Sequence, residues 1–344
     1  MLYYVFTLVF FLFDYFILAM GLNIQYGATG ILNFAYIGFV AVGAYMTGVA
    51  GMPSNITGQH YILGLGLPFP LNTLFGGLSA MAMAVIVALI TLRRLRTDYL
   101  AIVLISLSLV LYDFCNNFVP LFNGADGLYN VPAPLTKALG LNVNSFIVVF
   151  ACVTGVVALI LWFVMARVTN APLGRSLRAI RDDSTVAGAL GKDVFRMQLK
   201  SMLIGSFYAG IGGGLLIQFG GSFNPTAWLP GETFVVFAVL IVGGAGNNIG
   251  MFVGALLVET LLIHLPAFLP EIPGHPGLIE YIDSALVGIV LMVMLWTRPQ
   301  GIVPERVRRA VTFGVPDRPE IDARELGSAE VLGAPVAAAT EGAK

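Results

Sequence analysis

The segment 172–192, PLGRSLRAIRDDSTVAGALGK, concentrates the side chains that could do chemistry in an otherwise apolar chain. Six ionisable residues fall within eighteen positions there, whereas charged residues make up only 11% of the 344 residues. The segment carries three arginines spaced three apart and then two adjacent aspartates, which are groups suited to ion pairs and charge-assisted hydrogen bonds. This pattern indicates a binding surface, which the surrounding apolar runs must hold in position.

No catalytic or cofactor-binding pattern accompanies this segment. GALGKD (188–193) is similar to part of a phosphate-binding loop, but the complete motif needs Gly where Val186 stands and Ser or Thr where Asp193 stands. The three histidines lack metal-ligand spacing, and Cys115 and Cys152 lie in apolar surroundings. We therefore predict no ATP site, metal, cofactor or enzymatic activity, and the net charge of −1 gives no indication of a nucleic-acid partner.

The first half of the charged segment is predicted to form a short helix with two different faces. Pro172 suits the first turn of a helix, where its missing N–H is not needed. Residues three or four positions apart share a helix face. The apolar stripe is Leu173, Leu177 and Ile180, and the basic stripe is Arg175, Arg178 and Arg181.

A second, smaller helix is predicted over residues 184–190. The two preceding aspartates are natural N-cap acids, and Gly191 stands where a helix would end. The middle of this helix is small and smooth, which suits it to a groove on another protein. The competing interpretation is a solvated connecting loop, which accounts for the arginines but less well for the capping at both ends. The candidate docking residues are Arg175, Arg178, Arg181, Asp182, Asp183, Ala187, Gly188 and Gly191.

The rest of the chain is predicted to be an all-α polytopic membrane protein. Apolar residues make up 58% of the sequence, and charged residues fall far below the roughly 25% typical of soluble domains. A membrane-spanning helix needs about 20 mostly apolar residues. Nine runs qualify, within a range of eight to ten: Leu2–Leu22, Ile31–Ala50, Thr73–Leu92, Tyr99–Phe118, Ser145–Ala166, Leu199–Phe219, Thr233–Val242, Met251–Leu265 and Leu278–Trp296. The first is predicted to be a retained span. The seventh and eighth are short and separated by glycines, which predicts either a tight pair or a segment that enters without crossing.

The basic residues orient this chain, because Lys and Arg near the ends of spans stay on the cytoplasmic side. Three basic clusters fall on one side of a nine-span arrangement: 93–96, 167–200 and 298–309. Of the 18 Lys and Arg residues, only Lys137 falls on the other side. The loop 168–198 and the carboxyl terminus are therefore predicted to be cytoplasmic, and the amino terminus outside. We predict a transmembrane domain over 1–312 and a disordered cytoplasmic tail over 313–344.

Two kinds of intramembrane residue are candidates for lining a transport path. Apolar segments studded with glycine, 27–45 and 205–221, echo each other, and such paired segments either line the path of a transporter or pack closely through small residues. An acid at the centre of the first span is either a functional group or a hydrogen-bond partner for a neighbouring helix. The path candidates are Asp14, Asn33, Tyr45, Gly212 and Gly213.

Taken together, the motifs resemble the branched-chain amino acid permeases of high-affinity ABC importers, the LivM and LivH kind. The most specific motif is the 172–192 segment, which resembles the loop by which such permeases dock their ATPases. The other matching motifs are GATGILNFAYIGFVAVGAY (27–45), TDYLAIV (97–103), NGADGL (123–128), KSMLIGSFYAGIGGGL (200–215), VGGAGNNIG (242–250) and RPQGIVPER (298–306). The resemblance covers about Gly21–Arg306 and leaves the tail unmatched.

Some residues depart from the family pattern. Thr185 and Val186 stand where the docking motif has Glu and Ala, and the preceding aspartates can supply the acidic character. Asn33 is closer to the LivH kind, whereas the docking loop and the closing RPQG are closer to LivM, which we favour. Permeases for urea and short-chain amides share these motifs, so the substrate class stays open between amides and branched-chain amino acids.

The resemblance implies a permease subunit in a bacterial inner membrane with several partners. These are a second, LivH-like permease, two cytoplasmic ABC ATPases, a periplasmic substrate-binding protein and the lipid bilayer. A secondary transporter or channel is a different class that stays open, and it would place coupling acids at mid-membrane without needing a docking helix. A purely structural membrane protein is a third class, which the broken, glycine-rich spans disfavour.

Overall fold

The computed structural model describes residues 2–53, 64–93, 97–136, 140–229, 231–264 and 278–305. Within these residues the regular structure is helical, and extended pairing is limited to isolated bridges. The α-helices are α1 (Leu2–Gln25), α2 (Tyr36–Gly51), α3 (Leu71–Thr91), α4 (Thr97–Asn117), α5 (Val119–Phe122), α6 (Val143–Asn170), α7 (Pro172–Asp182), α8 (Ser184–Ala189), α9 (Val194–Gly220), α10 (Glu232–Gly243), α11 (Asn248–Gly254) and α12 (Leu278–Thr297). A π-helical stretch, Ala255–His264, continues α11, and 3₁₀ turns cover Gly124–Asp126 and Pro225–Trp228.

Each of the nine predicted apolar runs is largely helical where the structure describes it. Six stretches are long and apolar enough to cross a membrane: Tyr3–Gln25, Leu71–Thr91, Tyr99–Asn117, Val143–Asn170, Val194–Gly220 and Pro225–Gly243. Three apolar helices are shorter: Tyr36–Gly51, Asn248–Thr260 and Ala285–Thr297. With its 16 residues, α2 spans about 24 Å, less than the ~30 Å hydrocarbon core. The mostly helical, multi-span architecture is confirmed, and the exact number of crossings stays a prediction.

The helix α9 is the centre of the bundle, and it packs against α1, α2 and α3. Its most apolar 18-residue window is 72% buried, against 28% for α4. Glycines allow this close packing, because a Cβ on Gly210 would lie 2.8 Å from the Cα of Gly77 in α3. The small residues of α9 therefore serve helix packing.

The second helix, α2, begins at Tyr36, later than the predicted Ile31. Gly30 has φ of +78°, a left-handed conformation that does not continue a helix. The side chain of Asn33 then donates to Oε1 of Gln25 at 2.8 Å and accepts from the N–H of Ala35 at 3.1 Å. The residues between α1 and α2 therefore form an ordered, hydrogen-bonded turn.

The helices α10 and α11 form a tight hairpin, one of the two predicted alternatives for this region. A Cβ on Gly243 would overlap the carbonyl oxygen of Gly250, so the two backbones meet directly. The segment after α12 returns to this hairpin, where the N–H groups of Ile302 and Val303 donate to carbonyl oxygens of α10 at 2.9 and 3.1 Å. We call residues 242–247 and 301–305 together the glycine clasp.

The two segments of the glycine clasp meet at glycines. Gly244 and Gly301 have φ values of +111° and +73°, which favour glycine. A Cβ on Gly301 would lie 2.5 Å from the backbone nitrogen of Gly244, so the two segments touch backbone to backbone.

The predicted tail 313–344, Lys137 and the arginines at 94, 96 and beyond 305 lie outside the described residues.

Candidate functional site

The first helix of the charged segment, α7, is packed against the bundle. Pro172 stands in its first turn, as predicted. Leu177 and Ile180 of the apolar stripe are 0% and 3% exposed, and the helix contacts α6 and α9. Arg175 is exposed and Arg178 is half-buried. The apolar stripe therefore anchors α7, which leaves part of the basic stripe accessible.

The second helix, α8, has a cap at each end, as predicted. The Oδ1 atom of Asp183 accepts from the N–H groups of Thr185 and Val186 at 2.8 and 3.0 Å, which makes Asp183 the N-cap. At the other end Gly191 has φ of +81°, and its N–H donates to the carbonyl of Gly188 at 3.0 Å. The segment is thus a defined helical unit, and Asp183 has a structural role within it.

The exposed face of α8 differs from the predicted one. Ala187 is only 3% exposed, so it faces the protein's own interior and cannot lie in a partner's groove as this structure stands. The exposed side chains are Val186 and Leu190, at 54% and 77%, and Gly188 is exposed beside them. Positions i and i+4 share one face of a helix, so the outward surface of α8 is apolar and branched. Sequence reasoning missed these two residues, although large apolar side chains beside charged ones were the available signal.

The predicted basic stripe is also divided, because Arg181 turns towards the bundle. Its Nη1 atom lies 2.9 Å from Oε2 of Glu305 and donates to the carbonyl oxygen of Gly27. Its Nε atom lies 3.5 Å from the carboxylate of Asp182, which is 73% exposed. Arg181 is therefore occupied within the chain, and its role as a docking contact stays a prediction. Asp182 stays accessible.

The turn between α1 and α2 is held by buried hydrogen bonds that include a predicted path residue. Asn33 is fully buried and pairs with Gln25, whose Nε2 donates to the carbonyl of Met202 in α9 at 3.1 Å. The hydroxyls of Thr29 and Ser201 lie 2.7 Å apart. Protein atoms satisfy both ends of the Asn33 amide, so Asn33 positions the turn, and its role in lining a transport path stays a prediction.

The two path glycines lie at helix contacts. A Cβ on Gly213 would overlap the carbonyl oxygen of Val40 in α2, and one on Gly212 would lie 3.1 Å from Cγ of Leu18 in α1. This arrangement supports the packing interpretation of the glycine-studded segments, and a path-lining role for these glycines stays a prediction.

The acid of the first span, Asp14, is completely buried between α1 and α9. Its Oδ1 atom would lie 3.5 Å from a Cβ on Gly212, and neither carboxylate oxygen has a hydrogen-bond partner among the described residues. Glu259, in the π-helical stretch that contacts α1, is 1% exposed and close enough to interact electrostatically with Asp14. A buried acid without a hydrogen bond is costly, so Asp14 remains a candidate functional group.

The last path candidate, Tyr45, lies in an aromatic cluster. This cluster is near the carboxyl-terminal half of α2, away from the charged segment. Its ring is fully buried, and its centroid is 5.0 Å from that of Phe122, 5.2 Å from Phe223 and 6.1 Å from Trp228. Tyr112 of α4 adds a fifth ring, 5.8 Å from Trp228. We call these five residues the aromatic cluster. Sequence reasoning missed four of them because they come from separate segments.

Two loop segments close over the aromatic cluster. Leu128 and Phe223 form a two-residue antiparallel bridge, with N–H to carbonyl distances of 2.9 and 2.8 Å. A Cβ on Gly127 would overlap the carbonyl oxygen of Phe223, so this motif glycine permits the approach. The hydroxyl of Tyr45 and the indole N–H of Trp228 are buried near each other, and neither makes a regular hydrogen bond to the other described residues.

Comparison with known proteins gives a consistent result. Residues 4–295 match the family described as branched-chain amino acid transport system / permease component. The chain is 26% identical over 323 residues to the probable branched-chain amino acid transport permease protein LivM of Methanocaldococcus jannaschii, covering 85% of this chain and 91% of that one. It is 28% identical over 310 residues to the high-affinity branched-chain amino acid transport system permease protein LivM of Escherichia coli K12, covering 84% and 68%.

A second group of relatives is more distant. The LivH permease protein of the Escherichia coli K12 high-affinity system is 24% identical over 304 residues, covering 84% of this chain and 91% of that one. No solved structure matches the chain. The family match extends over both the helical bundle and the charged segment, so the chain belongs to the family of permease components of branched-chain amino acid transport systems.

Proposed function

We propose that this chain is a membrane-spanning permease subunit of an ABC importer that takes up branched-chain, hydrophobic amino acids. Separate ATPase subunits would drive it by docking on the α7–α8 segment. The observation that carries the proposal is the doubly capped α8 helix, with exposed Val186 and Leu190, on a bundle that matches the permease family. The chain itself would hydrolyse no ATP.

The exposed face of α8 suits a groove on an ATPase. Burying a Val or Leu side chain contributes roughly 1.5–3 kcal/mol, and both side chains here retain more than half of their exposure. Arg175 and Asp182 lie nearby on exposed positions and can add charged contacts at the rim, where such pairs affect specificity more than affinity. Gly188 leaves room for close approach of a partner's backbone.

The orientation of the chain is part of this proposal. Arg93, at the end of α3, lies 5.1 Å from the ring of Phe195 at the start of α9, and Arg167 lies 4.8 Å from the ring of Phe163. These basic residues therefore collect at the same end of the bundle as α7 and α8, which supports a cytoplasmic location for that end. A cysteine introduced at Leu190 should label only in permeabilised cells, whereas one at Asn224 should label in intact cells.

We further propose that the aromatic cluster covers the outer end of the transport path. Branched aliphatic side chains pack well on aromatic rings, and the buried Tyr45 hydroxyl and Trp228 N–H offer polar contacts to the rest of an amphipathic solute. Asp14 would lie deeper along the same route.

The complete importer would contain a second, LivH-like permease, two cytoplasmic ATPases and a periplasmic substrate-binding protein in the inner membrane. The existence of both LivM and LivH relatives supports a two-permease system. The alternatives are a urea or short-chain amide importer and a secondary transporter. Leucine uptake in cells distinguishes these two alternatives from the proposed function. Competition by urea or acetamide would favour an amide importer. Loss of leucine uptake on addition of a proton ionophore at constant ATP would favour a secondary transporter.

A further inference from the structure

We propose that Arg181 and Glu305 form a latch that passes the motion of the docking helices into the membrane-spanning bundle. This inference rests on the proposed function, because it gives a mechanical route from α7–α8 to the helices. The two residues are remote in sequence, yet Nη1 of Arg181 lies 2.9 Å from Oε2 of Glu305. Their side chains are 29% and 18% exposed, so solvent screens this pair less than a surface pair.

The guanidinium of Arg181 connects three parts of the chain. Arg181 belongs to α7, Glu305 to the glycine clasp, and the carbonyl of Gly27, which also accepts from Nη1, to the turn between α1 and α2. A Cβ on Gly30 would lie 3.4 Å from Cγ of Arg181, so the arginine stem runs along the glycine backbone of that turn. No other described basic side chain of α7 makes an ion pair with the bundle.

Glu305 is held rigidly on its side of the latch. The carboxylate group lies against Gly246, where a Cβ would come within 2.6 Å of its Cδ atom. Asn247 donates from Nδ2 to the carbonyl of Pro304 at 3.2 Å, and the adjacent backbone pairs with the end of α10. A displacement of Arg181 therefore acts on the α10–α11 hairpin and not on a loose terminus.

The turn on the other side is tied to the same hairpin. Oδ1 of Asn23 accepts from the N–H of Gly246 at 2.7 Å, and its Nδ2 donates to Oδ1 of Asn248 at 3.0 Å. Nδ2 of Asn248 donates in turn to the hydroxyl of Thr169, just before α7, at 3.2 Å. The latch thus closes a ring of polar contacts through α1, α6, α7 and α11, which are the elements that must move together if ATPase docking is to reshape the bundle.

The site has room for the arginine to move. A cavity of about 270 Å³ is lined by Tyr26, Gly27, Gly30, Arg181 and Ala245. A guanidinium can leave one acceptor and reach another within such a space, whereas a fully packed ion pair could not. Nη1 of Arg181 serves Glu305 and Gly27 together, while its Nε atom lies 3.5 Å from the carboxylate of Asp182. A lysine has a single side-chain nitrogen and does not reproduce this spread of contacts.

The test uses charge reversal in the full importer, in cells and in proteoliposomes. The variants are Arg181→Glu, Glu305→Arg and the double exchange Arg181→Glu/Glu305→Arg. We expect each single variant to be made at normal abundance and to bind the ATPases, with leucine uptake lowered by about tenfold or more, equivalent to ~1.4 kcal/mol of lost coupling. The double exchange should recover a substantial part of uptake. The recovery should be incomplete, because a carboxylate at position 181 cannot donate to the carbonyl of Gly27.

The matched control is Arg196→Glu. Arg196 lies in the first turn of α9, its side chain is 77% exposed, and among the described residues it pairs only with the helix-capping Asp193. Its reversal should leave uptake near the wild-type level. Wild-type uptake in both single variants, or no recovery in the double exchange, would overturn the latch. Failure of the wild-type chain to bind ATPases would instead contradict the proposed function.

Discussion

Truncation of Leu190 to alanine should weaken ATPase binding by about 20-fold. Leu190 is the C-cap that follows α8, and it is 77% exposed, so it contributes little to the fold of the isolated chain. The change removes three carbons, each worth about 0.8 kcal/mol when transferred from water to an apolar groove. Scaled by the exposed fraction of 77%, the loss is about 1.8 kcal/mol, or ~20-fold in the dissociation constant.

The assay is titration of purified ATPase onto the permease pair in lipid nanodiscs, with leucine uptake measured in parallel in cells. Val143→Ala is the control, because Val143 is 76% exposed and lies far from α8. Val143 is the first residue of α6, and because α6 ends at the charged segment, its first residue lies at the opposite side of the bundle. The control should bind ATPase like the wild type. A dissociation constant for Leu190→Ala within twofold of the wild-type value would refute the assignment of α8 as the docking helix.

Three further substitutions give distinct expected outcomes. Gly191→Val should lower uptake at normal abundance, because a φ of +81° costs an L-residue roughly 1–2 kcal/mol. The control Gly231→Ala, at a position with φ of −57°, should be tolerated. Equal uptake in the two variants would contradict the capping role of Gly191. Gly213→Val should lower the melting temperature and abundance, because its side chain would overlap Val40, with a cost of roughly 3 kcal/mol or more; a normal melting temperature would disprove the helix contact. Asp14→Asn keeps the side-chain shape and should leave abundance normal while reducing leucine uptake at least several-fold; unchanged uptake would assign Asp14 a structural role.

The helices of the charged segment were predictable from sequence because their signals are local. A proline in the first turn, an aspartate N-cap and a glycine in the left-handed conformation act within a few residues, and all three appear in α7 and α8. The long apolar runs were equally clear, because lipid requires about 20 apolar residues wherever a helix crosses. The glycine-rich hairpin of α10 and α11 was one of the two alternatives that its interrupted hydrophobicity predicted.

The roles of individual side chains depended on long-range placement, which a single sequence does not contain. Ala187 and Val186 are neighbours, and which of them faces inward is set by where α8 rests on the bundle. The sequence does not distinguish Arg181 from Arg175 and Arg178. The fold does, because it places Glu305 and Gly27 beside Arg181. In the same way, the aromatic cluster assembles from segments that are far apart in sequence, such as those of Tyr45 and Trp228.

In the proposed function, separate ATPases drive solute movement through this chain. This coupling is tested most directly by reconstituting the permease pair in proteoliposomes with and without the ATPases, supplying the substrate-binding protein outside and ATP inside. We expect radiolabelled leucine to accumulate only when both ATPases and internal ATP are present, and no proton or sodium gradient to replace them. Leucine accumulation driven by an ion gradient in vesicles that lack the ATPases would contradict it.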